Sequence, residues 1–166
     1  MKILIAAFSL AAAVAAAAVV PAAGQGPTTG LTGIDKPGDV VQARQLLMDG
    51  IDEEMHDIDL AGSGQSFPLD GLKAHADHIS TLMSAFPHLF PPQTQPSPDA
   101  PVPTTASPAV WKEFTDFYDR AAAAAKTALD ASQAATLDQF KPLGTQLRAA
   151  CDSCHAKYMV VEQPKP

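Results

Sequence analysis

Cys151-Asp152-Ser153-Cys154-His155 lies near the C-terminal end of the chain and closes a helical pattern. Phe140, Gly144, Leu147, Cys151, Cys154, His155 and Tyr158 keep to one side of a helix expected from about Thr136 to Met159. At about 3.6 residues per turn, positions 151, 154 and 155 fall within roughly a third of the circumference, so two thiols and one imidazole can face the same flat group. Cys-x-x-Cys-His is the attachment sequence of a c-type haem. The thiols of Cys151 and Cys154 would add to the porphyrin vinyl groups as thioethers, and His155 would reach the iron from the proximal side. The competing readings are a disulfide or redox dithiol and a zinc site. Zinc needs a fourth ligand, and the chain has no third cysteine. A thioredoxin-like motif should open a helix after a strand, whereas this one stands near a helix end.

Working outward, Met1 to Gly24 reads as an export signal, with Lys2 as the positive start, Ile3 to Val20 as the apolar core and Ala22-Ala23-Gly24 as small cleavage residues. An uncleaved anchor is the alternative for so long an apolar run, but alanine richness and the small-residue ending favour removal. Residues 25–166 remain, enough for one domain with one core. They carry 10 Lys and Arg against 18 Asp and Glu, a net charge of −8. Nucleic acid and anionic lipid are poor partners for such a surface, and no later stretch suits a membrane span. Export also puts the cysteines where uncommitted thiols do not stay reduced, and thioethers would commit them.

After a flexible stretch 25–35, a first helix is expected from Asp35-Lys36-Pro37 to about Leu60, with Val41, Arg44, Met48, Ile51, Met55 and Ile58 as its apolar stripe. The acidic run Asp49, Asp52, Glu53, Glu54, Asp57 and Asp59 reads as a solvated face. A second helix is expected from about Pro68 to Phe86, on the stripe Leu72, Ala76, Ile79 and Leu82 or Met83, ending before Pro87. Pro91 to Pro108 reads as a long loop that crosses the fold or borders the cofactor. A third helix should start at Pro108 and show Trp111, Phe114, Phe117 or Tyr118, Ala121, Ala125 and Leu129 on one face. In the fourth helix Pro142 lies opposite the apolar side and predicts a kink, not an end. Four amphipathic helices without strand signals make an all-α, antiparallel up-and-down four-helix bundle over 36–160, with a tail at 161–166 and haem in the core.

The chain resembles the class II c-type cytochromes, which include cytochrome c prime and its low-spin relatives. The likeness rests on Cys151-Asp152-Ser153-Cys154-His155-Ala156-Lys157-Tyr158 at the C-terminal end, on Lys36-Pro37-Gly38-Asp39 leading to Arg44-Gln45, and on Ser107-Pro108-Ala109-Val110-Trp111. It implies a left-handed bundle, covalent haem c, a periplasmic location and one-electron transfer rather than enzymatic turnover. The residues alone leave the sixth iron position open among Met48, Met55, Met83, His56, His75 and His78, because methionine also fills bundle cores. The resemblance selects Met48, one turn after Arg44, as in the methionine-ligated subgroup. A thioether is a soft ligand that suits haem iron and raises its potential. The resemblance also offers Arg44 as partner of a haem propionate; a surface or interhelical salt bridge is its ordinary alternative.

His75 and His78 read as surface histidines, and His56 as a solvated neighbour of Asp52 and Asp57. Two departures from the family stand out: Met159 follows Tyr158 where an arginine is frequent, and Pro142 with Gly144 makes the fourth helix less regular. The favoured function is a periplasmic carrier of single electrons with His155 and Met48 as axial ligands and transient redox proteins as partners. The alternative is a pentacoordinate haem protein that binds NO or CO. Cytochrome c prime relatives often dimerise through the first two helices, so the resemblance offers a homodimer here, with the acidic end of the first helix weighing against it.

Overall fold

The first helix, α1, runs from Pro37 to Gly62, with proline in its first turn, where a missing N–H costs nothing. This computed structural model describes residues 36–160; the expected signal 1–24, the stretch 25–35 and the tail 161–166 lie outside the described residues. α1 continues two residues past the expected Leu60 because Ala61 extends the buried stripe and Gly64 supplies the stop. Gly64 has φ +100°, the Gln65 N–H bonds to Leu60 O at 3.0 Å and the Gly64 N–H to Ala61 O at 3.2 Å. Those two bonds satisfy terminal carbonyls in a Schellman closure, which needs a left-handed residue after the cap.

The second helix, α2, spans Leu69–Ala85 and tightens into a 3-10 turn over Phe86–Leu89, since Pro87 has no N–H to continue the α-ladder. The crossing segment that follows holds one short 3-10 turn, Pro92–Thr94. It is tied to the C-terminal end of the chain by Ser107 N–H to Tyr158 O at 2.8 Å and Val160 N–H to Thr105 O at 2.7 Å. The expected third helix is divided into α3, Ala109–Lys112, and α4, Phe114–Ser132. Glu113 leaves the helical region at φ −125°, ψ 40°. The break lets Trp111 stay with the crossing segment, donating its indole N–H to Phe90 O at 3.0 Å, while Phe114 and Phe117 enter the core. Leu129, expected on the apolar face, is exposed, and Ala128 holds the buried position.

The last helix, α5, spans Leu137–Tyr158. Thr136 caps it by accepting from the Gln139 N–H, and the Gln139 side chain accepts from the Ala135 N–H, so two orphan donors are satisfied. Helical structure continues past the exposed Pro142, as expected of a proline on the solvent side.

α1, α2, α4 and α5 form an antiparallel up-and-down four-helix bundle in which each packs on two neighbours, in the ring order α1, α2, α4, α5. The small buried faces of Ala121, Ala124, Ala125, Ala128 and Ala131 let α4 lie close to α2, the most extensive helix pair. One core cluster fills the far half of the bundle around Ile51, Met55, Leu72, Ile79, Phe140 and Leu147. A second, aromatic cluster around Phe86, Phe90, Phe114, Phe117 and Tyr158 lies under the crossing segment. Leu47 and Met48 touch both.

Gly144 sits where α5 meets α1, and a Cβ there would lie 3.0 Å from Ile58 Cγ2. Ile58 is buried and β-branched, so it cannot swing away. Gly144→Ala should therefore lower stability by about 1 kcal/mol, overpacking outweighing the gain in helix propensity. Gly71 in α2 has nothing within 4 Å, and Gly71→Ala should stabilise by about 0.7 kcal/mol. Urea denaturation of the two variants would show opposite signs.

Candidate functional site

One turn and a half of α5 brings Cys151, Cys154 and His155 to the same wall of a cavity of about 280 Å³. The intervening Asp152 and Ser153 are exposed, as the helical spacing requires. α1 forms a second wall with Arg44, Met48, Ile51 and Met55, and α4 a third with Phe117, Arg120 and Ala121. Thr104, Thr105 and Ala106 of the crossing segment also line it, which bears out the expectation that this segment borders the site. The cavity thus brings together all five residues singled out from sequence: Arg44, Met48, Cys151, Cys154 and His155.

The two cysteines are free and half-buried. Burial pushes both thiols up, opposed by Arg148 at Cys151 and by Arg120 at Cys154. Reactive dithiols depend on the reverse shift, so these are poor redox catalysts in thiol form. Among the described residues no three His, Cys, Asp or Glu groups could hold a metal ion, which leaves the zinc reading without a ligand set. A flat, largely apolar group with charged edges fits better: two thiols and an imidazole stand on one helix face, apolar side chains and three arginines line the rest, and a thioether comes from another helix.

Met48 is half-buried at the seam of the two core clusters, whereas Met55 is fully buried in the far cluster and Met83 of α2 nearly so. All three line the cavity. His75 and His78 do not line it and lie toward the surface as expected, but they have carboxylate partners that the sequence did not place beside them. Glu54 of α1 accepts from or faces both rings, with His75 Nδ1 at 2.5 Å and His78 Nδ1 at 2.9 Å, and Asp57 lies 3.3 Å from His75 Nε2. The two rings hold Glu54 below the usual carboxylate range against the opposing effect of burial. Part of the acidic run therefore clasps α1 to α2 and is not a purely solvated face. Asp59 likewise pairs with Arg148 of α5.

Among the described residues Arg44 has only neutral partners, not the salt bridge that was its ordinary alternative. It is 3% exposed, its Nη1 donates to Thr94 Oγ1 at 2.9 Å and more weakly to Leu89 O, and its Nη2 donates to Thr104 Oγ1 at 2.8 Å and Thr94 O at 3.2 Å. The guanidinium lies 4.6 Å from the Phe90 ring centre and 5.6 Å from that of Trp111, within cation–π range of both. Burial pulls its pKa down to about 10, still well above neutrality. Its Nε–H has no protein acceptor among the described residues.

Sequence reasoning did not single out Asp116 and Arg120 of α4. Asp116 accepts from Arg120 Nε at 2.8 Å, Lys157 Nζ at 2.9 Å and the Tyr158 hydroxyl, tying α4 to the residues just after His155. Their i,i+4 spacing was a visible helix-pair signal, but nothing local shows that this pair faces the haem-motif helix. The three donors, Arg120 first, hold the Asp116 carboxyl far below its ordinary value of 3.8. A carboxylate depressed on folding stabilises the fold above its unfolded pKa and loses that contribution as pH falls through the folded one. Asp116→Asn should therefore lower the melting temperature at pH 7, and the difference from wild type should shrink below about pH 4.

The family model described as Cytochrome C' matches residues 39–159. Cytochrome c-556 of Agrobacterium tumefaciens strain II Chrys is 31% identical over 125 residues, covering 71% of this chain and 94% of that protein. Cytochrome c-556 of Agrobacterium fabrum strain C58 is 30% identical over 125 residues, covering 71% of this chain and 79% of that protein. Among solved structures, cytochrome c' from Rubrivivax gelatinosus superposes with a TM-score of 0.67 at 27% identity, covering 76% of this chain and 98% of that one.

Proposed function

Since the chain belongs to the cytochrome c' family, the class II c-type cytochromes, with haem c attached through Cys151 and Cys154, we propose that it carries single electrons with His155 and Met48 as axial ligands. The observation that carries the proposal is the pairing of α5 and α1 across one cavity, His155 from the first and Met48 from the second. Haem c supplies the ferric/ferrous couple. His155 brings the imidazole nitrogen, fixed by its place beside two anchored neighbours on the helix. Met48 brings a neutral, soft sulfur that favours the reduced state. With both axial positions filled by the chain's own side chains, little needs to move when the charge changes. Ile51, Met55, Phe117 and Ala121 keep the surroundings apolar and limit water access.

Arg44 belongs to the proposed cofactor contacts through its Nε–H, which has no protein acceptor among the described residues and suits a propionate. Its Nη groups meanwhile hold the crossing segment beside the site. We propose export to the periplasm from the pattern around Lys2 and Ala22-Ala23-Gly24; no helix among the described residues is long and apolar enough to cross a membrane. The acidic surface suits transient redox partners of complementary charge. A second copy packed on α1 and α2 is the assembly that the family likeness implies, and Glu54 and Asp57 turn toward His75 and His78 of their own chain instead of opposing it.

Spectropotentiometric titration of the holoprotein tests the proposal. One reversible one-electron transition, with a ferrous spectrum unchanged under carbon monoxide, is expected. A ferrous spectrum that converts on addition of carbon monoxide would favour the five-coordinate, gas-binding alternative.

A further inference from the structure

Three arginines line the cavity, and the protein uses their donors differently. Both Nη groups of Arg44 are committed to oxygens of the crossing segment and the end of α2's 3-10 turn. Arg148 gives Nε and Nη2 to Asp59, and its Nη1 lies 3.7 Å from Asp152. Arg120 gives only Nε, to Asp116, and its two Nη groups have no protein acceptor among the described residues. Asp116 is itself held by Lys157 and Tyr158, so the guanidinium is anchored at one end and uncommitted at the other. It lines the same cavity as Cys154, His155 and Tyr158, from the neighbouring wall. Position 159, which follows them, offers only a methionine.

We propose that Arg120 is the fixed cation that raises the reduction potential of the bound haem, with Asp116 as the positioning residue that holds it on the Cys154 side of the cavity. Oxidation adds a positive charge at the iron, and a guanidinium kept nearby opposes that addition. Arg120 is a partly exposed charge at the wall of a largely apolar cavity, where the effective dielectric is lower than in bulk water and the opposition correspondingly larger. A flexible surface lysine would average its position and be screened; Arg120 is held by a bond of 2.8 Å to a carboxylate with two further anchors. The inference rests on haem bound in this cavity, as in the proposed function, and not on which side chain fills the sixth position.

The test is potentiometry of the holoprotein at low ionic strength, with absorption spectra recorded alongside. Arg120→Gln, and Arg120→Met, which keeps the aliphatic stem, should shift the reduction equilibrium about threefold to tenfold toward the ferric form. Tenfold corresponds to about 59 mV for one electron. Arg120→Lys keeps the charge but loses the Nε anchor to Asp116, and its potential should fall between those of wild type and the neutral variants. Lys126→Gln is the control: it removes one positive charge from the same helix at an exposed pair with Asp130, and should shift the equilibrium less than twofold. Unchanged potentials in both neutral Arg120 variants, or equal shifts in these and Lys126→Gln, would overturn the proposal. Failure of the axial assignment would show instead as a high-spin spectrum already in the wild type.

Discussion

Met48→Leu should turn the iron from low spin to high spin in both oxidation states and open the ferrous protein to carbon monoxide, if Met48 holds the sixth position as proposed. Leucine and methionine are close in volume, so the exchange costs less than about 1.5 kcal/mol in packing and the bundle persists. What is lost is the sulfur. Met48 lies half-buried on the α1 wall of the cavity, and no other α1 side chain between Arg44 and Ile51 both lines that wall and carries a soft donor. The potential should fall by on the order of 0.1 V, inside the roughly 0.8 V range that axial ligands span. Met55 and Met83 are the thioethers that could substitute, since both line the cavity. A low-spin spectrum that survives in Met48→Leu would therefore mean that one of them, or a histidine, holds the sixth position. Absorption spectra of the oxidised and reduced variant decide the matter.

Arg44→Met has the largest expected effect on stability, a loss of about 3 kcal/mol. Hydrogen bonds from a charged donor contribute roughly 1.5–3 kcal/mol each, and Arg44 makes three good ones, to Thr94 Oγ1, Thr94 O and Thr104 Oγ1. The gain from no longer burying a guanidinium offsets part of that loss. Methionine keeps the stem against Phe90 and Trp111, so the loss reports the charge and its bonds more than a void. The damage should be local: the crossing segment loses its hold at Thr94 and Thr104, and backbone amides of residues 94–106 should exchange faster with solvent. Gln45→Ala removes a neighbouring bond, the exposed one to Pro103 O at 3.0 Å, and should cost under about 0.5 kcal/mol. Equal losses in the two variants would remove Arg44 from its place as the clasp.

The helices and the haem motif were legible because each is encoded by local spacing. Val41, Ile51, Met55 and Ile58 repeat along α1, and Cys151, Cys154 and His155 share a face of α5 whatever the other helices do. Stops were legible only in part. Glycine at 62 and at 64 can each end a helix, and the end at Gly64 depends on Ala61 finding a buried place. The break at Glu113 was not legible, because it follows from Trp111 reaching carbonyls about twenty positions earlier in the chain.

The same reason hid the partners of Arg44 and of the two histidines. Arg44 bonds to residues 45 to 60 positions away, and His75 and His78 reach Glu54 across the α1–α2 interface. No periodicity within one helix carries that information. Arg120 shows the limit most plainly: its pairing with Asp116 is local and readable, while its place beside Cys154 depends on how α4 is rotated against α5.

In the proposed site, sulfur from Met48 and nitrogen from His155 hold one iron. Carbon-13 NMR of the reduced holoprotein, labelled at the methionine methyl groups, tests it most directly, because a methyl held over a haem ring is shifted strongly upfield by the ring current. One such resonance is expected in the wild type and none in Met48→Leu. Methyl signals all within their ordinary range in a correctly haem-loaded wild type would contradict the axial pair.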